Sequence, residues 1–496
     1  ELCKLAKKNN ISLFIDAEEM DRTEISLEII KELLSHKDLA DWDGLGFVVQ
    51  TYGKRASFVI DDLNDMCVKN NRKIMVRLVK GAYWDTEIKI AHEMGLDDFP
   101  VFTRKEHSDV SYVACSKKLF EYNKNIYSCF ATHNALSVAT VIEIAKSYPD
   151  VKYEFQKLHG MGDYMYHLIT EGEYDIPTRI YAPVGVHRDL LPYLVRRLLE
   201  NGANSSFVKN IFDDDIPIKD MVKSPMALAK KNKFTKHPKV QYAKDINNLP
   251  NEEDLWRDNS KGIDMTNIKE VKKLIKDMDK YDLGKNAYSI INGKNVSSKS
   301  INIVSPQNTK NKIAKSHFIN KKQCLDALES VSSGFEKWDN MDCAKRSKIL
   351  EKSADIFEKR MADFIKILSL EAGKTLNDCI AEVREGVDFL RYYSKQSQQL
   401  LKQRELPGPT GELNTYKLSG RGVFLCISPW NFPFAIFLGQ IAGALSVGNT
   451  VIAKPAETTS LIAYETIKVL LEAGLPKDAI SLLIGEGRMI GDTLLE

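Results

Sequence analysis

Between residues 1 and 200 short β-prone runs alternate with amphipathic helical runs, and this alternation constrains the fold more than any other feature. The strand candidates are Ile11–Ile15, Leu45–Val49, Ile74–Val79, Pro100–Thr103, Ile126–Ala131, Val151–Phe155 and Thr178–Tyr181, with helical stretches such as Thr23–Leu34 and Leu136–Tyr148 between them. Strands joined by helical crossovers pair in parallel, and such a sheet makes a (β/α) barrel when it closes. Seven strands leave an edge unpaired, so an eighth is expected upstream of Glu1. The expected fold is α/β, a (β/α)8-type barrel missing its first strand. The chain opens without an initiator Met and stops inside a helical pattern at Leu494–Glu496, which reads as a fragment.

In parallel barrels chemistry gathers at the carboxyl ends of the strands. Those positions hold Asp16, Gln50, Arg77, Lys80, Thr103, His133, Gln156 and Tyr181. Taken singly, Asp16 reads as a helix cap, Gln50 as a loop amide and His133 as a core imidazole with its bonds satisfied. Their collection on one rim is what argues for a site. After the last strand, Leu191, Leu194, Val195, Leu198 and Leu199 fall at helical spacing, with Pro192 in the first turn. Tyr193, Arg196 and Arg197 share a second patch of that helix. Paired guanidinium groups can clamp a small carboxylate, and a phenol can wall off an apolar ring, whereas an isolated arginine pair would read as a solvated face.

Charge balance excludes some classes. Lys+Arg of 70 against Asp+Glu of 68 gives +2, which argues against a general nucleic-acid or membrane-surface role. The 8 cysteines are scattered, without a C-x-x-C pair, which favours reduced thiols in a cytosol over a disulfide framework or a zinc site. There is no signal-peptide pattern. The uncharged run Gly422–Ala453 is long enough to resemble a membrane span, but Pro429 and Pro433 interrupt it, and it reads better as a buried strand, turn and helix.

A connector is expected over residues 216–283; its basic run Lys230–Lys239 reads as solvated surface. A hairpin-like region follows, and then helices at Lys322–Trp338, Ala344–Leu370 and Leu376–Gln403. From Ser419 onward three strand–helix units appear, around Gly420–Phe434, Thr450–Ser460 and Ile480–Gly487. The second helix should be capped near Thr459 or Ser460 and stop at Gly474 before Pro476; the third opens over Gly487–Gly491. These units predict a doubly wound, Rossmann-like sheet, although GEGRMIG is weak evidence for a dinucleotide.

FIDAEE (14–19), VVQTYGKR (48–55), RLVKGAYWD (77–85), FATHNA (130–135), FQKLHGMG (155–162), RIYAPVG (179–185) and PYLVRRLLENGANSSF (192–207) resemble proline dehydrogenase, specifically the flavin domain of the bifunctional proline utilisation enzymes. The resemblance implies FAD at the barrel mouth, with proline over its ring. Arg196 and Arg197 would hold the proline carboxylate, and Tyr83, Leu158, Tyr181 and Tyr193 would enclose the substrate ring. Arg77 and Gln50 would bond the flavin ring system. Ala17, Lys80, Gly81, Ala82, Thr132 and His133 would line the rest of the cofactor, and Asp16 stands where that family has an active-site acid. The family's first-strand lysine would lie upstream of Glu1.

SPWNFP (428–433) and KPAE (454–457), with EAGKT (371–375) before them, resemble the aldehyde dehydrogenase superfamily. Here the resemblance implies the amino-terminal helices and part of the NAD-binding domain. Asn431 would donate to the oxyanion of a thiohemiacetal, a task that suits a neutral amide on a rigid turn. Lys454 and Glu457 would hold the adenosine ribose of NAD, while Pro429, Trp430, Ala456, Gly487 and Gly491 would shape the groove. That family's nucleophilic cysteine and general-base glutamate would lie downstream of Glu496, and none of the eight cysteines matches the former.

The expected division is 1–215 barrel, 216–283 linker and 284–496 aldehyde dehydrogenase region. The implied pathway runs from L-proline through pyrroline-5-carboxylate and glutamate semialdehyde to glutamate. The family further implies a membrane quinone as electron acceptor and a homo-oligomer, cytoplasmic but able to visit the inner face of the membrane. Two rivals stand beside this reading: a DNA-binding regulator, whose nucleic-acid segment would precede Glu1, and a non-catalytic scaffold.

Overall fold

A computed structural model of the chain describes every residue except 173, 203–216, 218, 220–221, 284–285 and 496. In the helix His187–Gly202 the backbone is described throughout, but not the side chains of Asp189 or of residues 196–202. The chain divides into two compact units, one of residues 1–91 and 98–241, the other of residues 92–97 and 242–496.

In the first unit six strands form one sheet in the order β1 (Leu13–Ile15), β2 (Leu45–Gln50), β3 (Ile74–Val79), β4 (Ile126–Ala131), β5 (Tyr153–Leu158) and β6 (Thr178–Tyr181). Every neighbouring pair is parallel, giving an open half-barrel with β1 and β6 at its edges. Six of the seven expected strands are present. Pro100–Thr103 is not a sheet strand: β3 pairs directly with β4, so no slot exists for it. Its backbone instead bonds the turn after β2, Lys54 N–H donating to the Pro100 carbonyl (2.9 Å) and Phe102 N–H to that of Tyr52 (2.8 Å). A proline-led run without a donor at its head suits such a bridge better than a central ladder.

The two-residue period of a strand decides what each sheet face carries. Phe47, Val49, Ile74, Val76, Leu78, Phe130 and Phe155 pack into a core with the covering helices, such as Thr23–Ser35, Ala56–Asn70 and Lys105–Glu121. The alternate positions, among them Gln50, Arg77, Glu154, Gln156, Arg179 and Tyr181, therefore share the opposite face. Gly46 belongs there too, and a Cβ on it would lie 2.4 Å from the Phe14 ring, so this residue has to be glycine for β1 to seat its phenylalanine.

The helix His187–Gly202 forms with Pro192 inside it. Its expected apolar face is not buried: Leu191, Leu194 and Val195 are exposed, because the helix follows edge strand β6 and no described element covers that side. Leu198 and Leu199 fall outside the described side chains.

In the second unit β7 (Ala287–Ile291) forms a hairpin with β8 (Lys294–Val296), and β9 (Lys299–Ser305) forms one with β10 (Asn308–Phe318). A separate two-stranded ribbon joins β11 (Arg404–Leu406) to β12 (Asn414–Tyr416). The strands β13 (Val423–Ile427), β14 (Thr450–Lys454) and β15 (Ile480–Leu482) run parallel, and the sheet is ordered β13-β14-β15-β7-β10-β9, with β8 beside β7 off this path. The expected wound sheet is thus present, with a mixed extension beyond β15, to which β7 is antiparallel. Gly422–Ala453 is β13, a turn, the 12-residue helix Ala435–Ser446 and the start of β14, and among the described residues no helix is long and apolar enough to cross a membrane.

Two corrections concern helices. The expected single run Ala344–Leu370 is two helices, Cys343–Lys359 and Met361–Glu371, broken where Arg360 leaves the helical basin (φ −101°, ψ 21°). The helix Ser460–Ala473 stops at Gly474 in the left-handed region (φ 112°) as expected, but Thr459 makes no side-chain cap. The cap comes from Glu371, ninety residues earlier, whose buried carboxylate accepts from the amides of Leu461 (2.7 Å) and Ile462 (2.9 Å). Burial pushes this carboxyl up to about 7, against the backbone donors that favour its ionised form.

An acid whose folded pKa lies above its unfolded value holds its proton more tightly when folded. Its stabilising contribution is therefore present below the unfolded value and is lost as pH rises towards the folded one. Here the window runs from 4.5 to about 7 and involves roughly 3 kcal/mol. Glu371→Gln should flatten the fall in melting temperature across that window, measured by scanning calorimetry; an unchanged pH slope would remove Glu371 as its source.

Candidate active sites

On the polar sheet face of the first unit the side chains form one connected chain. Arg179 on β6 donates from Nε and Nη2 to the two carboxylate oxygens of Glu154 on β5, both at 2.8 Å. Gln156, fully buried, donates to Glu154 (2.7 Å), which fixes its amide oxygen as the acceptor for Nε of Arg77 (2.6 Å). The Arg77 guanidinium lies 4.7 Å from the Phe14 ring centre and 5.3 Å from that of Tyr181, and 3.5 Å from Oδ1 of Asp16. Burial alone would raise the Glu154 carboxyl, but Arg179 and Gln156 outweigh it and hold the group below its ordinary range. The result is a cation fixed at the carboxyl end of a parallel strand, half-sandwiched between aromatic rings.

The adjoining residues complete the rim. Gly81, just past β3, has φ 126°, and a Cβ there would fall 2.4 Å from the Tyr52 ring, so the backbone at this point is bare of side chain by necessity. Lys80 pairs with Asp109, which also binds Lys105; burial lowers the Lys80 ammonium although Asp109 opposes the shift. Thr132 is buried, and its hydroxyl accepts from Asn134 N–H (3.2 Å). His133 Nε2 accepts from the amide of Leu158 (3.2 Å), so a neutral ring carries its proton on Nδ1.

The segment after β1 folds over this rim: Gln50 donates to the Glu18 carbonyl (2.6 Å), and the Tyr83 hydroxyl donates to the Glu18 carboxylate (2.7 Å). Met20 N–H donates to buried Glu87 (2.7 Å). Ala17 is half-buried in that segment, and Ala82 is exposed.

The structure thus brings Asp16, Arg77 and Tyr181 together, and His133 with Leu158. Gln50, expected to bond the flavin ring system, donates here to the Glu18 carbonyl. Tyr193 is half-buried on the helix His187–Gly202; Arg196 and Arg197 are on the same helix, with side chains outside the described residues. Phe14, Glu18, Asp109 and Glu154 were not singled out by sequence. For Glu154 a signal existed: it stands two residues before Gln156, and Arg179 two before Tyr181, so parity places all four on the rim's face.

In the second unit Ser428 N–H donates to the Lys454 carbonyl (3.1 Å), tying the turn after β13 to the end of β14. Pro429, Trp430 and Asn431 on that turn are exposed. Lys454 is buried, and burial lowers its ammonium against the pull of Glu457. Glu457 accepts from the Gly487 amide (3.0 Å), and a Cβ on Gly487 would come within 3.6 Å of Lys454 Nζ. Lys454, Glu457 and Gly487 therefore meet at the carboxyl edge of the parallel strands, with half-buried Ala456 between the first two. A Cβ on Gly491 would meet nothing within 4 Å, so packing does not explain that glycine.

Comparison with known proteins follows the same division. Residues 1–210 match the proline dehydrogenase family, and residues 294–496 match the aldehyde dehydrogenase family. The chain is 42% identical over 505 residues to the bifunctional protein PutA of Escherichia coli (strain K12), covering 99% of this chain and 37% of that protein. It is 32% identical over 231 residues to 1-pyrroline-5-carboxylate dehydrogenase of Staphylococcus aureus (strain MW2), covering 46% of this chain and 45% of the relative. A crystal structure of a Bradyrhizobium japonicum proline utilization A (PutA) mutant superposes with a TM-score of 0.86 at 43% identity, covering 99% of this chain and 46% of that one. The chain thus spans less than half the length of the PutA proteins it matches. Both regions thus occur in PutA order, residues 1–210 similar to the proline dehydrogenase family and residues 294–496 to the aldehyde dehydrogenase family.

Proposed function

We propose that the chain serves proline catabolism: the first unit in FAD-dependent oxidation of L-proline to pyrroline-5-carboxylate, the second in NAD-dependent oxidation of glutamate semialdehyde to glutamate. The observation that carries this reading is the Arg179–Glu154–Gln156–Arg77 chain at the strand rim beside the bare backbone of Gly81. A flat cofactor needs such a backbone approach, and a ring system that gains negative charge needs a cation already held in place.

The residues fit the group. Arg77, Lys80, Gly81, Ala82, Thr132, His133 and Ala17 would hold the FAD, with Gln50 joining once freed from Glu18. Bound FAD supplies the two-electron acceptor for the oxidation. Arg196 and Arg197 clamp the proline carboxylate, Tyr83, Leu158, Tyr181 and Tyr193 enclose its ring, and Asp16 orients Arg77 from solvent. This fixes the substrate carbon before reaction, so little orientational freedom is left to lose.

In the second unit Lys454 and Glu457 would bind the adenosine ribose of NAD, with Pro429, Trp430, Ala456, Gly487 and Gly491 shaping the groove. Bound NAD supplies the hydride acceptor. Asn431 donates to the oxyanion that develops at the aldehyde carbon. We assign the three-part division 1–215, 216–283 and 284–496 to the two activities and their connector. A membrane quinone as electron sink, a homo-oligomer and a cytoplasmic protein peripheral to the membrane complete the proposal.

In the intact protein Arg77→Met should slow bleaching of the bound flavin by proline about 100-fold, a loss in the range of a single charge-stabilising donor, as read by stopped-flow absorbance. Bleaching at the parent rate would remove the rim cation from the reaction. Arg196→Met and Arg197→Met should each raise the Michaelis constant for proline at least about tenfold, the worth of one lost charge-assisted pair. Lys454→Met should raise the Michaelis constant for NAD by a similar factor, about tenfold, in aldehyde oxidation assays.

A further inference from the structure

The EAGKT segment has a place in this fold that the proposed activity leaves unused. Lys374 and Glu382 form an ion pair in which the Glu382 side chain is fully buried and Lys374 is mostly so. Glu382 also accepts from the amides of Phe434 (2.8 Å) and Ala435 (3.3 Å), the first free donors of the helix Ala435–Ser446. Phe434 and Ala435 are themselves fully buried. The Lys374 ammonium lies 4.2 Å from the centre of the Phe432 ring. Phe432 follows Asn431 directly, and Pro433 separates it from the capped amides.

A carboxylate at a helix amino terminus satisfies orphan donors and the positive end of the helix dipole together. Here it comes from a distant helix, Leu376–Leu400, and its charge is balanced by an ammonium that also grips the neighbouring ring. The turn Pro429–Pro433 is therefore tied at both ends. Its entry is bonded to β14 through Ser428, and its exit is bonded to Glu382 and stacked on Lys374. Among the described residues Asn431 makes no side-chain hydrogen bond of its own and is exposed, so the backbone that carries it is held by these two ties.

We propose that Lys374 and Glu382 are positioning residues for Asn431: they hold the turn so that its amide points at the reacting aldehyde oxygen. This rests on the reading of Asn431 as an oxyanion donor. An amide displaced by about 1 Å loses most of its advantage, because only a preorganised donor favours the transition state over the bound aldehyde. The pair therefore acts chiefly on turnover: Pro429 and Trp430 line the cofactor groove from the entry of the turn, which Ser428 holds to β14, while Lys454 and Glu457, the groups for the ribose, lie outside the turn.

The test compares Lys374→Met, Lys374→Arg and Asn431→Ala in the intact protein, with glutamate semialdehyde and NAD as substrates. Lys374→Met should lower kcat roughly tenfold while leaving the NAD dissociation constant within about twofold. It should also speed hydrogen exchange at the amides of Phe434 and Ala435. Lys374→Arg keeps charge and ring contact and should restore most of kcat. Parent-like kcat in Lys374→Met, or an equal loss of turnover and NAD affinity, overturns the proposal. Parent-like kcat in Asn431→Ala instead sinks the oxyanion reading itself, and the exchange data then report separately whether Lys374 holds the turn. Should Lys374→Met fail to fold, Phe432→Leu removes only the ring contact, and unchanged turnover and exchange in that variant would overturn the proposal.

Discussion

Parallel pairing of β1 through β6 is the constraint from which the first unit follows. A parallel pair cannot be closed by a tight turn, so each strand is followed by a helical crossover. All six carboxyl ends consequently lie on one rim. The two-residue period then sorts the side chains: Ile74, Val76 and Leu78 go under the helices, while Arg77 goes to the other face. An arginine 15% exposed at its side chain cannot be left without acceptors, since a buried unpaired charge costs several kcal/mol. Gln156 meets that demand, Glu154 fixes the direction of Gln156, and Arg179 neutralises Glu154. Fold and site are thus one arrangement, because the residues that make Arg77 tolerable in the sheet also hold it still.

The second unit solves a related problem at helix ends. Each helix following a parallel strand begins with amides that lack partners, next to the loops we propose to face a cofactor. A local capping residue would compete for that loop's own geometry. Glu371 and Glu382 avoid the conflict by reaching in from elsewhere in the unit, one to the helix after β14 and the other to the helix after β13. The loops KPAETT and PWNFP are left to present Lys454, Glu457 and Asn431. The two carboxylates differ in their partners. Glu382 has Lys374 beside it, whereas Glu371 has only backbone donors and is pushed up to about 7.

Much of this was legible in the sequence because it depends on local pattern. Ile74–Val79, Ile126–Ala131 and Thr178–Tyr181 stand where the β-prone runs placed them, and Gly474 ends its helix as a glycine in that position should. What escaped was set by partners distant in the chain. Pro100–Thr103 has strand composition, yet whether a run enters a sheet depends on a free neighbour, and β3 already has β4. Leu191, Leu194 and Val195 have core spacing, but spacing does not say whether anything lies opposite. The break at Arg360 leaves the apolar period intact on both sides and so left no trace. At the site, strand-end position picked out Arg77 and Lys80 and the family resemblance picked out Gly81, while Glu154 and Asp109 emerged only when pairing across strands and helices was known.

The engagement of Gln50 shows how such distant partners bear on chemistry. Its amide donates to the Glu18 carbonyl, and Tyr83 donates to the Glu18 carboxylate, so one residue draws an expected cofactor contact and an expected substrate contact onto the segment after β1. Each of these is a single neutral or charge-assisted bond worth about 0.5–3 kcal/mol net. A cofactor offering an acceptor of equal quality could replace Glu18 at Gln50 with little cost, because the amide is already aimed by β2 and needs only a new partner. Arg77 differs: its Nε is bound to a fully buried amide whose oxygen accepts from no other donor among the described residues, so it keeps its orientation whatever occupies the rim. The site therefore combines one cation fixed by the sheet with neighbours that can exchange partners, and this division of rigidity follows from which side chains lie within the strands and which lie beyond their ends.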